Sequence, residues 1–76
     1  MDRILVVDDE PRHRGGLVNM LRTLRPKYEV IEAKNGLEAL DVAADPAVKI
    51  VITDIKMPVL DGLEFLRAMQ LTGRSI

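Results

Sequence analysis

The sequence contains no cysteine and no tryptophan, and its only aromatic residues are Tyr28 and Phe65. The lack of cysteine excludes disulfides, zinc–thiolate sites and thiol catalysis, and it favours a reducing compartment such as the cytoplasm. Eleven basic and twelve acidic residues leave a formal charge of −1, so we expect no broad basic surface for nucleic acid or anionic lipid. Residues 4–7 are too short an apolar run for a signal-peptide core or a membrane span, which predicts a soluble, intracellular protein.

Short apolar runs alternate with helix-forming segments along the 76 residues. Ranges 4–7 and 50–52 are continuously apolar and rich in β-branched residues, a pattern typical of strands buried on both faces. Range 28–33 is more mixed and predicts an edge strand. Three helices are predicted, and each begins at a turn or cap signal: Pro11, Asn35-Gly36 and Asp61.

Apolar residues at helical spacing predict which helix faces turn inward. The predicted stripes are Leu17, Met20, Leu21 and Leu24 in the first helix, Leu37 and Leu40 with Ala39, Ala43 and Ala44 in the second, and Leu63, Leu66 and Met69 in the third. The arginines and His13 of the first helix are expected on its solvated face, and Glu10 is expected to be a first-turn charge. The pair Gly15-Gly16 should weaken the first helix by about 1 kcal/mol per glycine relative to alanine.

The resulting order is strand–helix three times over, with short connections. Such alternation indicates an α/β fold with parallel strands, right-handed crossovers and helices on both faces of the sheet. No repeat, low-complexity tract or linker divides the sequence, so a single domain is expected.

Two of the three predicted strands run directly into acidic residues, Asp8-Asp9 and Asp54. Ligands of open α/β sheets bind outside the carboxyl ends of the strands, where strand order reverses. If the first and third strands are neighbours, the three carboxylates meet there and repel one another. A Mg²⁺ ion removes that repulsion, and it prefers a few carboxylates plus water and phosphate oxygens. We therefore favour a metal site over solvated loop carboxylates.

The motifs around these carboxylates resemble the receiver domain of bacterial two-component response regulators. Asp8-Asp9 follows one apolar strand and Asp54 another, at the spacing typical of that family. The resemblance extends to further motifs along the whole chain: Met57-Pro58, Asp61-Gly62 and the segment NGLEAL at 35–40. It implies a flavodoxin-like parallel sheet with helices on both faces, here β1-α1-β2-α2-β3-α3 with strand order 2-1-3.

The same resemblance implies a role for each site residue. Asp54 would be the phosphoacceptor, attacking a phosphohistidine of a sensor histidine kinase. Asp9 would bind Mg²⁺ directly, Asp8 mainly through water, and Asp54 and the backbone carbonyl of Lys56 would complete the protein's ligands. Three residues would shape the loop behind the acceptor: Met57, Pro58 and Gly62. Phosphoryl transfer suits such a site, because it needs charge neutralisation and positioning more than covalent help.

The sequence also departs from the family pattern. Receivers have five strands, whereas residues 1–76 supply three and resemble a partial receiver domain. A Ser or Thr after the fourth strand and a Lys after the fifth contact the phosphoryl group in the family, and no residue here can be assigned to either role. We therefore expect impaired phosphorylation. The third strand should also be an exposed edge, which predicts self-association.

Two other classes of function remain open. One is a receiver-derived fragment that keeps the acidic residues but acts as a self-associating or binding module without switching. The other is a small Mg²⁺-dependent phosphohydrolase, which is the weakest candidate because no second aspartate follows Asp54 by two residues. A receiver would not be an enzyme in the usual sense, since it catalyses only its own phosphorylation and dephosphorylation.

Overall fold

The computed structural model describes residues 1–54, 63–65 and 67. Its elements confirm the predicted alternation through the third strand: β1 (Arg3–Val7), α1 (Pro11–Leu24), β2 (Glu29–Ala33), α2 (Gly36–Ala43) and β3 (Val48–Thr53). Residues 63–65 and 67 are helical, where the third helix was predicted. Among the described helices, none combines the length and the apolar character needed to cross a membrane.

The three strands are parallel and lie in the order β2-β1-β3, as predicted. Val7 at the end of β1 is level with Ala33 at the end of β2 and Thr53 at the end of β3. The carboxyl ends of all three strands therefore form one edge of the sheet. At the opposite edge, the Arg3 guanidinium pairs with Glu29 at 3.1 Å and with Asp45 at 2.7 Å.

Alternate residues of β1 build a core on each face of the sheet. Val6 packs with Val18 of α1 and Val30 of β2, which places α1 on one face. Leu5 and Val7 point to the other face and belong to a larger cluster of buried residues, which also contains Ala33, Ala39, Ala43, Val48 and Phe65. Helical segments thus cover both faces, and β1 is buried between them.

Several predicted core positions are wrong. Met20, Leu24, Leu37 and Leu63 are largely exposed, whereas Val18 and Phe65 are buried. Helix residues advance by about 100° each, so Met20 lies about 200° around α1 from Val18 and faces away from the sheet. Hydrophobicity at helical spacing identified the helices correctly and placed Ala39 and Ala43 of α2 correctly. It chose the wrong centre for the buried faces of α1 and of the third helix. Leu66 and Met69 lie outside the described residues.

The strand β3 is less buried than its sequence predicted. Its apolar run suggested burial on both faces, yet Ile50 is 40% exposed and Val51 and Ile52 are half-buried. The reason is its position, since β3 has β1 on one side and forms an edge of the described sheet. Pairing with β1 begins at Val48, two residues before the apolar run.

The glycines of α1 have no packing role that the structure reveals. A Cβ atom added at Gly16 would have no heavy atom within 4 Å, and the residue is exposed in the middle of the helix. We predict that Gly16→Ala raises the free energy of unfolding by about 1 kcal/mol, because alanine loses less backbone entropy in a helix. Urea denaturation measures this change, and Gly15→Ala should behave similarly. A destabilised Gly16→Ala variant would contradict the helix environment described.

Candidate functional site

Three carboxylates meet at the edge of the sheet where the strands end. Asp8, Asp9 and Asp54 each offer one carboxylate oxygen, and these oxygens all lie within 4.8 Å of one another. Asp8 is half-buried, whereas Asp9 and Asp54 are exposed to solvent. The structure therefore brings together the three residues that the sequence placed at the ends of two strands.

The backbone explains this convergence. The N–H of Asp8 donates to the carbonyl of Ala33 at 3.1 Å, and the N–H of Asp54 donates to the carbonyl of Val7 at 3.0 Å. Each bond extends the parallel hydrogen-bond ladder by one residue beyond a strand end. Asp8 is therefore anchored to β2 and Asp54 to β1, in neighbouring ladders of the same sheet, and Asp9 follows Asp8 directly.

The short connection between β1 and α1 is closed by two side-chain hydrogen bonds. The N–H of Glu10 donates to Asp8 Oδ1 at 2.9 Å, and the N–H of His13 donates to Glu10 Oε2 at 2.8 Å. Glu10 is therefore the N-cap of α1. It was predicted to lie in the first helical turn, but it lies one residue before that turn. The hydrogen bond from the His13 backbone lowers the pKa of Glu10 below its usual range.

The environment of Arg14 differs from the sequence prediction. Arg14 was predicted to lie on the solvated face of its helix, but its side chain is only 19% exposed. Its Nη1 donates to the backbone carbonyl of Asp8 at 2.7 Å, and its Nε lies 3.1 Å from Glu32 Oε1. Asp8 and Arg14 are six residues apart, a separation with no characteristic sequence signal. His13 is exposed, as predicted.

The donor set of the cluster fits a hard divalent cation. All three groups offer carboxylate oxygens, the type of ligand that Mg²⁺ and Ca²⁺ prefer. Two oxygens bound to one Mg²⁺ ion are at most about 4.2 Å apart, because each Mg–O distance is about 2.1 Å. A limit of 4.8 Å is close to that span, so small rotations of exposed side chains would suffice. Without a cation, two such charges repel by about 1 kcal/mol in water.

Four predicted site residues follow Asp54 in the sequence. The carbonyl of Lys56 was expected to bind the metal, and Met57, Pro58 and Gly62 were expected to shape the loop. All four lie outside the described residues.

The sequence of this chain matches the model of a known protein family and is similar to known proteins. Residues 4–76 match the family model described as the response regulator receiver domain. Sporulation initiation phosphotransferase F of Bacillus subtilis (strain 168) is 34% identical over 99% of this chain. Response regulator MprA of Mycobacterium sp. (strain KMS) is 44% identical over 93% of it. This chain spans 59% of the length of the first relative and 30% of the second.

A solved structure resembles this chain in both sequence and fold. Response regulator protein TrrA of Thermotoga maritima, determined in complex with Mg(2+)-BeF, aligns with a TM-score of 0.82 and 41% identity. The alignment covers 95% of this chain and 61% of TrrA. It supports the flavodoxin-like fold predicted from the sequence, with the strand order 2-1-3 observed here.

Proposed function

The chain belongs to the response regulator receiver domain family of two-component signalling, and from this premise we propose that Asp54 accepts a phosphoryl group from a sensor histidine kinase. The observation that carries the proposal is the convergence of Asp8, Asp9 and Asp54 within 4.8 Å. Residues 1–76 would form part of one receiver domain, located in the cytoplasm with its kinase. The chain would catalyse only its own phosphorylation and dephosphorylation.

The three carboxylates are proposed to hold Mg²⁺. Asp9 and Asp54 would bind it directly and Asp8 mainly through water, since one oxygen of Asp8 already accepts a hydrogen bond from the Glu10 N–H. The carbonyl of Lys56 would be a further ligand. When bound, Mg²⁺ neutralises the charge of the carboxylates and of the phosphoryl oxygens that approach them. The complex of TrrA with Mg(2+)-BeF supports this assignment.

The chemistry assigned to Asp54 is a displacement at phosphorus. A carboxylate oxygen of Asp54 attacks the phosphorus of phosphohistidine, forming an O–P bond as the N–P bond breaks. The imidazole leaves with the electron pair and takes a proton from solvent. Asp54 is exposed, which lets a large donor reach it, while the bond from its N–H to Val7 fixes its backbone.

One experiment separates the three candidate functions. The 76-residue chain is incubated with Mg²⁺ and acetyl phosphate and then weighed by mass spectrometry. A labile gain of one phosphoryl group supports the receiver function. Metal binding without that gain supports the binding module, and continuous release of phosphate at high turnover supports a phosphohydrolase. We expect slow labelling, because no residue of this chain can be assigned the role of the Ser or Thr, or of the Lys, that the resemblance implies.

The edge position of β3 favours self-association of this 76-residue polypeptide as a second property. β3 has a neighbouring strand on one side only in the described sheet, and Ile50 on it is 40% exposed. Unpaired strand edges with apolar side chains pair readily with another chain, and two copies would meet through a two-fold contact.

We predict that light scattering gives a mass above one chain at micromolar concentration. Ile50→Lys should shift the polypeptide toward the monomer, because a charged side chain discourages pairing at a strand edge. A mass of one chain across the whole micromolar range would contradict this prediction.

A further inference from the structure

We propose that Arg14 is a positioning residue for the carboxylate cluster, which holds the Asp8–Asp9 peptide in the orientation that lets Asp9 share a cation with Asp54. The inference rests on the proposed function, since it concerns the same metal site.

The backbone of Asp8 is held at both of its polar groups. Its N–H donates to Ala33 at 3.1 Å, and its carbonyl accepts from Arg14 Nη1 at 2.7 Å. The two peptide planes that flank Asp8 are therefore fixed, one by the sheet and one by the arginine. Because peptide units are planar, the second plane fixes the position of the Asp9 Cα atom, from which the side chain leaves the backbone.

The guanidinium of Arg14 joins three parts of the fold. Its Nη1 contacts the end of β1 at Asp8, its Nε contacts Glu32 of β2 at 3.1 Å, and its own backbone lies in α1. A guanidinium is planar with its donors in a fixed fork, so two acceptors determine its orientation. A lysine ammonium has the same charge but lacks this fork, and it would hold the carbonyl less firmly.

The contact with Asp8 is better protected from solvent than the ion pair. The hydrogen bond from Arg14 Nη1 to Asp8 is part-buried, whereas the contact of Arg14 Nε with Glu32 is exposed. Exposed ion pairs contribute little to stability, while a charged donor to a carbonyl gives a stronger hydrogen bond than a neutral one. The hydrogen bond to Asp8 is therefore the contact that matters most for the site, and Glu32 steadies its donor.

The test is Mg²⁺ affinity measured by titration calorimetry, at a temperature where every variant is folded by circular dichroism. Loss of a group that orients a metal ligand typically lowers affinity about 10- to 100-fold, and we expect this for Arg14→Gln. Arg14→Lys should fall between that variant and the unmodified protein. The control is Arg12→Gln, which removes the same charge from an exposed position of the same helix. Equal affinities of the Arg14→Gln and Arg12→Gln variants would overturn the inference.

A second measurement needs no metal. The Glu10 amide donates to Asp8 Oδ1 at 2.9 Å, so its hydrogen exchange reports on the order of this connection. We expect faster exchange in Arg14→Gln than in Arg12→Gln, and equal exchange would count against a positioning role. If the unmodified chain bound no Mg²⁺, the proposed function would fail, and the exchange comparison would still decide whether Arg14 orders the Asp8–Asp9 segment.

Discussion

Asp54→Asn should abolish the labile mass gain that acetyl phosphate and Mg²⁺ produce on this chain. The amide has nearly the shape of the carboxylate but is far less nucleophilic and cannot form the acyl phosphate. It also removes one of three charges that lie within 4.8 Å of one another. The metal-free variant should therefore be slightly more stable than the unmodified chain, by up to about 1 kcal/mol, the repulsion expected for such charges in water.

The control for this variant is Asp41→Asn, which neutralises an exposed aspartate of α2 outside the cluster. It should label at the rate of the unmodified chain. Urea denaturation of both variants would show whether each is folded, so that loss of the mass gain is not mistaken for loss of structure. Continued labelling of Asp54→Asn at the original rate would place the acceptor elsewhere and remove the basis of the proposed function.

Phe65→Ala should have the largest effect on stability. Phe65 is 0% exposed and belongs to the main core cluster with Leu5, Val7 and Val48. Replacing a buried phenylalanine by alanine costs about 3 to 5 kcal/mol, a large part of the 5 to 15 kcal/mol that typically separates the folded and unfolded states of a domain. We expect a partly unfolded protein in water, measured by circular dichroism and urea denaturation.

Leu63→Ala is the matched control, because Leu63 lies two residues earlier in the same helical segment and is 64% exposed. Truncating an exposed side chain usually changes stability by less than about 0.5 kcal/mol. The pair of variants distinguishes the buried face seen in the structure from the one predicted by the sequence. A larger loss for Leu63→Ala than for Phe65→Ala would support the sequence prediction instead.

The sheet and the meeting of the three carboxylates could be predicted because both follow from local rules. Continuous apolar runs indicate buried parallel strands, and parallel strands end at a common edge. Acidic residues directly after two such runs must therefore lie near each other when the strands are neighbours. No knowledge of side-chain packing is needed for this step.

The buried helix faces could not be predicted in the same way. Phe65 and Leu63 are both apolar, and their relative burial depends on how the helix is rotated against the sheet. That rotation is set by the shape of neighbouring side chains, which helical spacing does not contain. The same limit explains why Val18, rather than Met20, is buried in α1.

The supporting contacts of the site were missed for a different reason. Glu10 is not among the preferred N-cap residues, although Pro11 at the first helical position could have marked it. Arg14 reaches back to Asp8 across the first turn of α1, and its partner Glu32 lies on another strand. Contacts between elements of this kind become visible only when the sheet register is known.

The central claim is that Asp8, Asp9 and Asp54 share one cation, and paramagnetic broadening by Mn²⁺ tests it most directly. Mn²⁺ accepts the same carboxylate and water ligands as Mg²⁺, and its broadening of nuclear magnetic resonance signals falls steeply with distance. We predict that substoichiometric Mn²⁺ broadens the amide signals of these three residues most strongly and together, and that excess Mg²⁺ restores them. Signals of Glu29 and Asp45 at the opposite edge should broaden far less. Broadening centred elsewhere, or at Asp54 without the Asp8-Asp9 pair, would contradict the claim.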